Sequence, residues 1–347
     1  MGKILYGVQG DGFGHINRAR TISQDMSQHE FLFVGGGTVR QLKAEGYSVV
    51  EVPVLDTFYR NNKVDIHRTS KHALKVLANR RSEIKRVAEI INEVDPNLII
   101  TDYEYFTAMA ARSLGRFCVS LDHQHILTHC VDIRSDQQGM NKIITKAIIK
   151  LLFSKPDHFL IVSFFHLPAA DPQKTEVFPA IVNRAITRYP STQGNHILVY
   201  QTSSTFQMLL PFLEKINHPI IIYGFGSLPS RRNLFFKGPS KEGFLEDLAS
   251  CRYVITNGGH NVISEALYLN KPVFSFPIAN HYEQFINAYF LAKLGYGSYA
   301  TDPNACIHVF DAFKNHLNEF SVRIKENFFP GNERLIRRLK MLMGQIH

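Results

Sequence analysis

Short apolar runs alternate along the chain with stretches in which apolar residues recur every three or four positions. The runs fall at residues 4–8, 31–34, 49–52, 98–101, 117–121 and 159–162. Between the first two, Ile16, Ala19, Ile22 and Met26 share one face of a helix. Such alternation predicts a parallel sheet with helices on both faces. The series pauses at residues 188–195 (RYPSTQGN), a polar stretch with Pro and Gly that reads as a linker. It restarts with runs at 197–200, 220–223, 253–256 and 272–276. The expected architecture is α/β: two doubly wound, Rossmann-like domains at residues 1–188 and 189–325. A basic helical segment at 326–347 follows and is expected to pack back on the first domain. Ligands of such sheets bind outside the carboxyl ends of the strands, so the residues just after each strand carry the functional information.

Composition adds little against this picture. The chain has 347 residues, 45% of them apolar and 20% charged, enough for two ordinary hydrophobic cores. The sequence runs from Met1 straight into a strand with no apolar signal region, and no run is long enough to cross a bilayer, so a cytoplasmic chain is expected. Cys118, Cys130, Cys251 and Cys306 form no CxxC pair and read as ordinary thiols. The formal charge of +9 invites a search for an anionic partner. Zinc-finger spacing, an aromatic RNA-binding pattern and a basic tail are all missing, so nucleic acid is not the expected partner.

The first strand opens into Gly10-Asp11-Gly12-Phe13-Gly14-His15 and then a helix. A dinucleotide fingerprint would need GxGxxG, but His15 occupies the place of its third glycine. No acid ends the second strand either, where Val34-Gly35-Gly36-Gly37 stands. The turn suits a different task. Glycines allow close backbone approach to a ligand, and a helix N-terminus disfavours a protonated imidazole, leaving His15 as a base. Asp102, just after the run at 98–101, is placed on the same sheet edge and could orient that imidazole. The plainer alternatives are a histidine packed in a turn and an aspartate capping the next helix.

The most informative stretch runs from residue 253 to 288. A strand ends at Thr256, Asn257-Gly258-Gly259 forms a turn, and a helix begins near His260-Asn261 with Glu265 one turn in. Backbone N–H groups at such a helix start favour a diphosphate, and a carboxylate at Glu265 could accept ribose hydroxyls. After the next strand come Glu283 and Gln284, then Asn287-Ala288. In this order the residues resemble the donor-sugar box of UDP-glycosyltransferases, including the peptidoglycan N-acetylglucosaminyltransferase and the plant UDP-glucosyltransferases. The stretch Gly12-Phe13-Gly14-His15 with Asp102 resembles the plant enzymes' base and its aspartate partner, and Gly12, Gly14 and Asn257 are counted with the donor-binding residues. The resemblance covers both halves and implies a GT-B fold, two Rossmann-like domains facing a central cleft. It places Gly258, Gly259, His260 and Asn261 on the diphosphate, Glu265 on the ribose, and Glu283 with Gln284 on the transferred sugar. Thr202, Ser203 and Ser204 match a second phosphate loop, and Phe244 with Leu245 match a segment that reads the base. The plant box has His where this chain has Asn257 and Trp where it has His260.

The sequence contains no DxD motif, so a metal-bridged diphosphate is not indicated and no cofactor is expected. The implied reaction is a direct displacement with inversion, from a nucleotide-sugar donor, UDP by resemblance, to a hydroxyl acceptor. Asp122, His123 and His125 follow another strand of the first domain and are candidates to line the acceptor cleft, a zinc site being the weaker reading of their HxH spacing. Lys142, Lys146 and Lys150 recur beside Ile143, Ile144, Ile148 and Leu151, the build of a membrane-surface helix. Residues 67–86 carry a second basic cluster. Either is also consistent with an ordinary amphipathic helix; contact with an anionic membrane at its inner face would fit a lipid-linked acceptor. An epimerase or hydrolase on the same fold, or a non-catalytic nucleotide-sugar-binding protein, are the alternatives.

Overall fold

The computed structural model describes residues 1–131, 139–202, 204–226 and 228–345. The chain divides into two compact units, each drawing on separated segments. The first comprises Met1–Phe58, Asp65–Ile181 and Gly331–His347; the second comprises Tyr59–Val64 and Val182–Pro330. Residues 182–188, expected with the first domain, group with the second, and 326–330 do the same.

In chain order the strands are β1 (Lys3–Val8), β2 (Glu30–Val34), β3 (Ser48–Val50), the hairpin pair β4 (Tyr59–Arg60) and β5 (Lys63–Val64), then β6 (Leu98–Asp102), β7 (Cys118–Asp122), β8 (His158–Ser163) and β9 (Thr175–Pro179). All but the hairpin form a seven-stranded parallel sheet in the order β3-β2-β1-β6-β7-β8-β9. The period of two along each strand divides its side chains between two cores. Ile4, Tyr6 and Val8 join Leu98 and Ile100 beneath the helices Gly14–Asp25 and Asn332–Gln345. Leu5 and Ile99 join Val87, Ile91 and Phe106 on the other face, under the helices Arg80–Val94 and Tyr105–Ser113. Both faces are therefore covered, which explains why the strands read as unbroken apolar runs.

The second unit repeats the scheme with β10 (Ile197–Tyr200), β11 (Ile220–Tyr223), β12 (Leu234–Phe236), β13 (Val254–Thr256), β14 (Val273–Ser275) and β15 (Gly297–Tyr299). Their order is β12-β11-β10-β13-β14-β15, all parallel. One face is packed with aromatic rings: Phe274 meets Phe276, Phe310 and Phe313 at 5.1–5.3 Å, edge-on or tilted. In both sheets the chain winds outward from the first strand in one direction and then returns to its other side. The reversal lies between β1 and β6 in one unit and between β10 and β13 in the other. Ligands of open α/β sheets collect at such points.

The helix Asn332–Gln345 closes the first unit. Leu335, Ile336, Leu339, Leu342 and Met343 enter the core with Phe178 and Ile181, and Arg338 Nε donates to Glu176 Oε1 at 2.6 Å. Leu339→Ala should destabilise this unit by about 2–5 kcal/mol, the cost of a cavity that the surrounding strands cannot collapse into. Urea unfolding checks this, with the exposed Met341→Ala as the control expected to change little.

Candidate active site

In the first unit the reversal point brings together residues 87 positions apart. Val8 pairs with Asp102 across the β1–β6 ladder, so the turn after β1 starts beside that carboxylate. The turn is held by a second glycine-rich loop: a side chain at Gly10 would lie 2.1 Å from the Gly36 carbonyl, and Thr38 Oγ1 donates to the Gly12 carbonyl at 2.8 Å. Gly14 opens the helix Gly14–Asp25, whose cap residue Phe13 makes no side-chain cap. His15 follows, with Nδ1 2.6 Å from Asp102 Oδ1. An ionised carboxylate can only accept, so a ring hydrogen lies on Nδ1, and in the neutral imidazole Nε2 then keeps its lone pair.

Asp102 is wholly buried. It does not cap the next helix. Glu104 does that, its carboxylate accepting from Phe106 N at 2.8 Å and Thr107 N at 2.7 Å. Between them Tyr103 takes the left-handed conformation, φ 55°, which sets the two acids facing different ways. Burial pushes the Glu104 carboxyl up, although those amides oppose the shift. Arg18, which the sequence reading passed over, is held on Asp102 by Nε at 2.6 Å and Nη2 at 2.8 Å. Its signal in the sequence is the spacing: residues three apart share a helix face.

Asp122, His123 and His125 are each about 1% exposed, so in this chain they meet one another and the core. His125 Nδ1 lies 2.6 Å from Asp122 Oδ2, which also accepts from Ser120 Oγ at 2.6 Å. His123 Nδ1 lies 3.0 Å from the Val162 carbonyl. Burial would raise the Asp122 carboxyl, but His125 beside it holds it well below the carboxylate range. Burial brings the nearby His129 down to about 4.

In the second unit the reversal point joins Thr202, after β10, to Asn257, after β13: Asn257 Nδ2 donates to Thr202 Oγ1. Ser204 continues the Thr202 loop, whereas Ser203 lies outside the described residues. Gly258 has φ 83°, and an added Cβ would crowd the Gln284 carbonyl at 2.8 Å. Asn287 Nδ2 donates to the Gly258 carbonyl at 3.0 Å, so this residue braces the turn. Gly259 precedes the helix His260–Tyr268 and makes no side-chain cap. His260 is buried, its Nδ1 3.2 Å from Asn261 Oδ1.

Gln284 is buried too, and its Oε1 accepts from Ile278 N at 3.0 Å, while Glu283 on the same helix is half-buried. Leu245 is a core residue; Phe244 packs edge-on between Tyr200 and Tyr223, each 5.4 Å away. The hairpin Tyr59–Val64 is seated beside these loops: Asn62 N donates to Thr205 Oγ1 at 3.1 Å, and Val64 N donates to the Ala279 carbonyl.

Glu265 stands one turn into the helix, 7% exposed. Burial pushes its carboxyl up to about 7, with Lys241 pulling weakly the other way.

Among solved structures, Phytolacca americana UGT2, complexed with UDP-2fluoro-glucose and pterostilbene, superposes with a TM-score of 0.67 over 99% of this chain and 100% of that one, at 14% identity. MurG of Acinetobacter baumannii superposes at 0.60 over 98% and 99%, at 15% identity. The two doubly wound sheets are those of GT-B glycosyltransferases. An uncharacterized glycosyltransferase of Methanosarcina acetivorans is 26% identical over 340 residues, 88% of this chain and 87% of that protein. The profile of glycosyl transferase family 1 matches residues 2–317, and the chain belongs to that family.

The raised Glu265 carboxyl makes stability depend on pH. Unfolded, it ionises near 4.5; folded, near 7. Between those values the native state holds the extra proton, so stability falls as pH rises and the full cost, on the order of 3 kcal/mol, is present above 7. Glu265→Gln should therefore raise the urea midpoint of the second unit at pH 8 and leave it nearly unchanged at pH 4.

Proposed function

We propose that this glycosyltransferase moves a sugar from a UDP-linked donor to a hydroxyl acceptor by direct displacement, without a metal and with inversion at the anomeric carbon. The observation that carries the reading is the His15–Asp102 pair at 2.6 Å. His15 Nε2 accepts the proton of the acceptor hydroxyl as that oxygen bonds to the anomeric carbon. The bond from that carbon to the diphosphate breaks on the opposite side, and the nucleoside diphosphate leaves. Asp102 stabilises the imidazolium formed and is not itself protonated.

The donor reading rests on the second unit's reversal point. The uncapped N-terminus of the helix His260–Tyr268, with Gly258, Gly259 and Asn261, offers backbone donors and a positive dipole end to a diphosphate, and Thr202 and Ser204 supply hydroxyls. Glu265 accepts ribose hydroxyls, a task for the ionised form. Donor binding therefore draws the proton off this carboxyl, and affinity rises with pH up to about 7 and then levels. UDP is favoured by the UDP-2fluoro-glucose complex of the Phytolacca protein. Glu283 and Gln284 take the transferred sugar. Gln284 has its oxygen committed to Ile278 N, which leaves its amide N–H groups for this role.

The lipid-linked acceptor is supported by the helix Gly139–Ile148 and the turn after it. Met140, Ile143, Ile148 and Leu151 are exposed beside Lys142, Lys146 and Lys150. No helix among the described residues is long and apolar enough to cross a membrane, so contact is peripheral. Vesicles containing phosphatidylserine should bind the protein at low salt and release it at high salt, and Ile143→Glu should weaken binding. Absence of binding at low salt removes the membrane part alone.

Calorimetry with UDP, dTDP, GDP and their common sugar conjugates tests the donor site. Micromolar binding of one nucleotide, lost in Glu265→Ala, is expected. His15→Ala should keep that binding and lower turnover of the donor by at least 100-fold. Donor turnover persisting in His15→Ala refutes its role as base.

A further inference from the structure

Arg18 lies one helical turn beyond His15, and its side chain is 3% exposed. A cation so deep needs an anion against it. It takes both oxygens of Asp102, with Nε donating to Oδ2 at 2.6 Å and Nη2 to Oδ1 at 2.8 Å. Burial works against its charge, but Asp102 holds the guanidinium well above its ordinary range. Oδ1 is also the oxygen facing His15 Nδ1, and Nη2 stands 3.2 Å from that nitrogen. Guanidinium has only donors and carboxylate only acceptors. Both N–H groups, from Arg18 and from His15, must therefore converge on Oδ1, and Arg18 cannot donate to a ring nitrogen that already carries hydrogen. The triangle closes only with a hydrogen on His15 Nδ1, which in the neutral ring is the Nδ1–H tautomer.

We propose that Arg18 is a positioning residue for His15. Its rigid fork locks the Asp102 carboxylate in the rotamer that keeps the ring hydrogen on Nδ1, so that Nε2 is always the accepting face. Its charge offsets that of Asp102, so the carboxylate orients the imidazole without drawing it into the protonated, useless form. The inference rests on the reading of His15 as the base. The other titratable groups around this cluster are Tyr6 on β1, Tyr103 after β6 and Asp122 at the end of β7. The Tyr6 hydroxyl is buried without a hydrogen-bond partner among the described residues, Tyr103 stacks on the His15 ring at 6.2 Å, and Asp122 acts on Tyr6 and Arg18 through its charge. Of the groups named, Arg18 alone brings a permanent positive charge.

Two variants separate the fork from the charge. Arg18→Lys keeps a cation but loses the planar pair of donors, and Arg18→Gln loses both. The ring nitrogens of His15 are followed by 15N NMR across pH, with their signals identified by loss in His15→Gln. The wild-type protein should show a single Nδ1–H tautomer. Arg18→Gln should show mixed tautomers and a titration midpoint about one pH unit higher, a tenfold change in the protonated fraction. Arg18→Lys should return the midpoint towards wild type while the tautomers stay mixed. Unchanged tautomer and midpoint in a folded Arg18→Gln overturn the proposal. Should that variant fail to fold, a single tautomer in Arg18→Lys overturns it equally. These signals need no substrate, so they stand apart from the donor-turnover test of His15 itself.

Discussion

A carboxylate with no exposed surface cannot stand alone in a protein interior, and much of the first unit's functional edge follows from that constraint on Asp102. The charge is met by Arg18 and the remaining acceptor capacity by His15, both from one turn of the same helix. That helix must therefore start close to the end of β6, which requires a tight turn after β1. The turn is tight enough that Gly10 nearly touches the Gly36 carbonyl, and the second glycine-rich loop is its buttress. The acid that would otherwise compete for the neighbouring helix start is replaced in that task by Glu104, two residues on. The left-handed Tyr103 separates the two roles.

The second unit meets its buried acid in the opposite way. Glu265 occupies a comparable depth, but no side chain among the described residues offers it the bidentate embrace that Asp102 receives, and burial pushes its proton affinity up. One acid is neutralised internally and fixed; the other keeps a proton that an incoming group can displace. The contrast fits the division of labour proposed here. An acid that orients a base must hold one geometry throughout the reaction, whereas an acid that recognises hydroxyls gains by being costly until they arrive.

Most strands legible in the sequence are interior ones buried on both faces, although the edge strand β3 is legible too, from the run at 49–52. Residues 4–8, 98–101, 197–200 and 220–223 carry enough Ile, Leu and Val to be read without ambiguity, and β10 and β11 match their predicted limits. Three of the unread strands, β9 (TEVFP), β12 (LFF) and β15 (GSY), are at sheet edges. An edge strand needs to be apolar on less of its surface and can be three residues long, so these three leave no run to detect. The hairpin Tyr59–Val64 escaped for another reason: two asparagines with positive φ make its turn, and its contacts are with residues more than 140 positions away. At the sites, motif order pointed to the glycines, His15, Asp102 and Glu265. It did not single out Arg18: the spacing from His15 puts it on the same helix face, but nothing local separates it from Arg20 or marks the burial that a distant strand imposes.

Chain exchange between the units has a consequence for how each becomes complete. The first unit's strands enclose a core that is closed only by the last seventeen residues, Gly331–His347, reached after the whole of the second unit has been traversed. The second unit in turn takes its hairpin from residues 59–64, long before its first sheet strand at Ile197. The first core cannot be finished from one contiguous stretch, whereas the buried cluster of the second lies within residues 197–320, so it is the first unit whose long-range contacts carry the loop-closure cost of the other. The linker at 188–195 is thus a punctuation mark in composition and not a cut point. A fragment ended there would leave Phe178 and Ile181 facing water where Leu335 and Leu339 should cover them. The first unit's reversal point, and the chemistry proposed for it, therefore belong to a core that becomes whole only when the chain has come back to where it began.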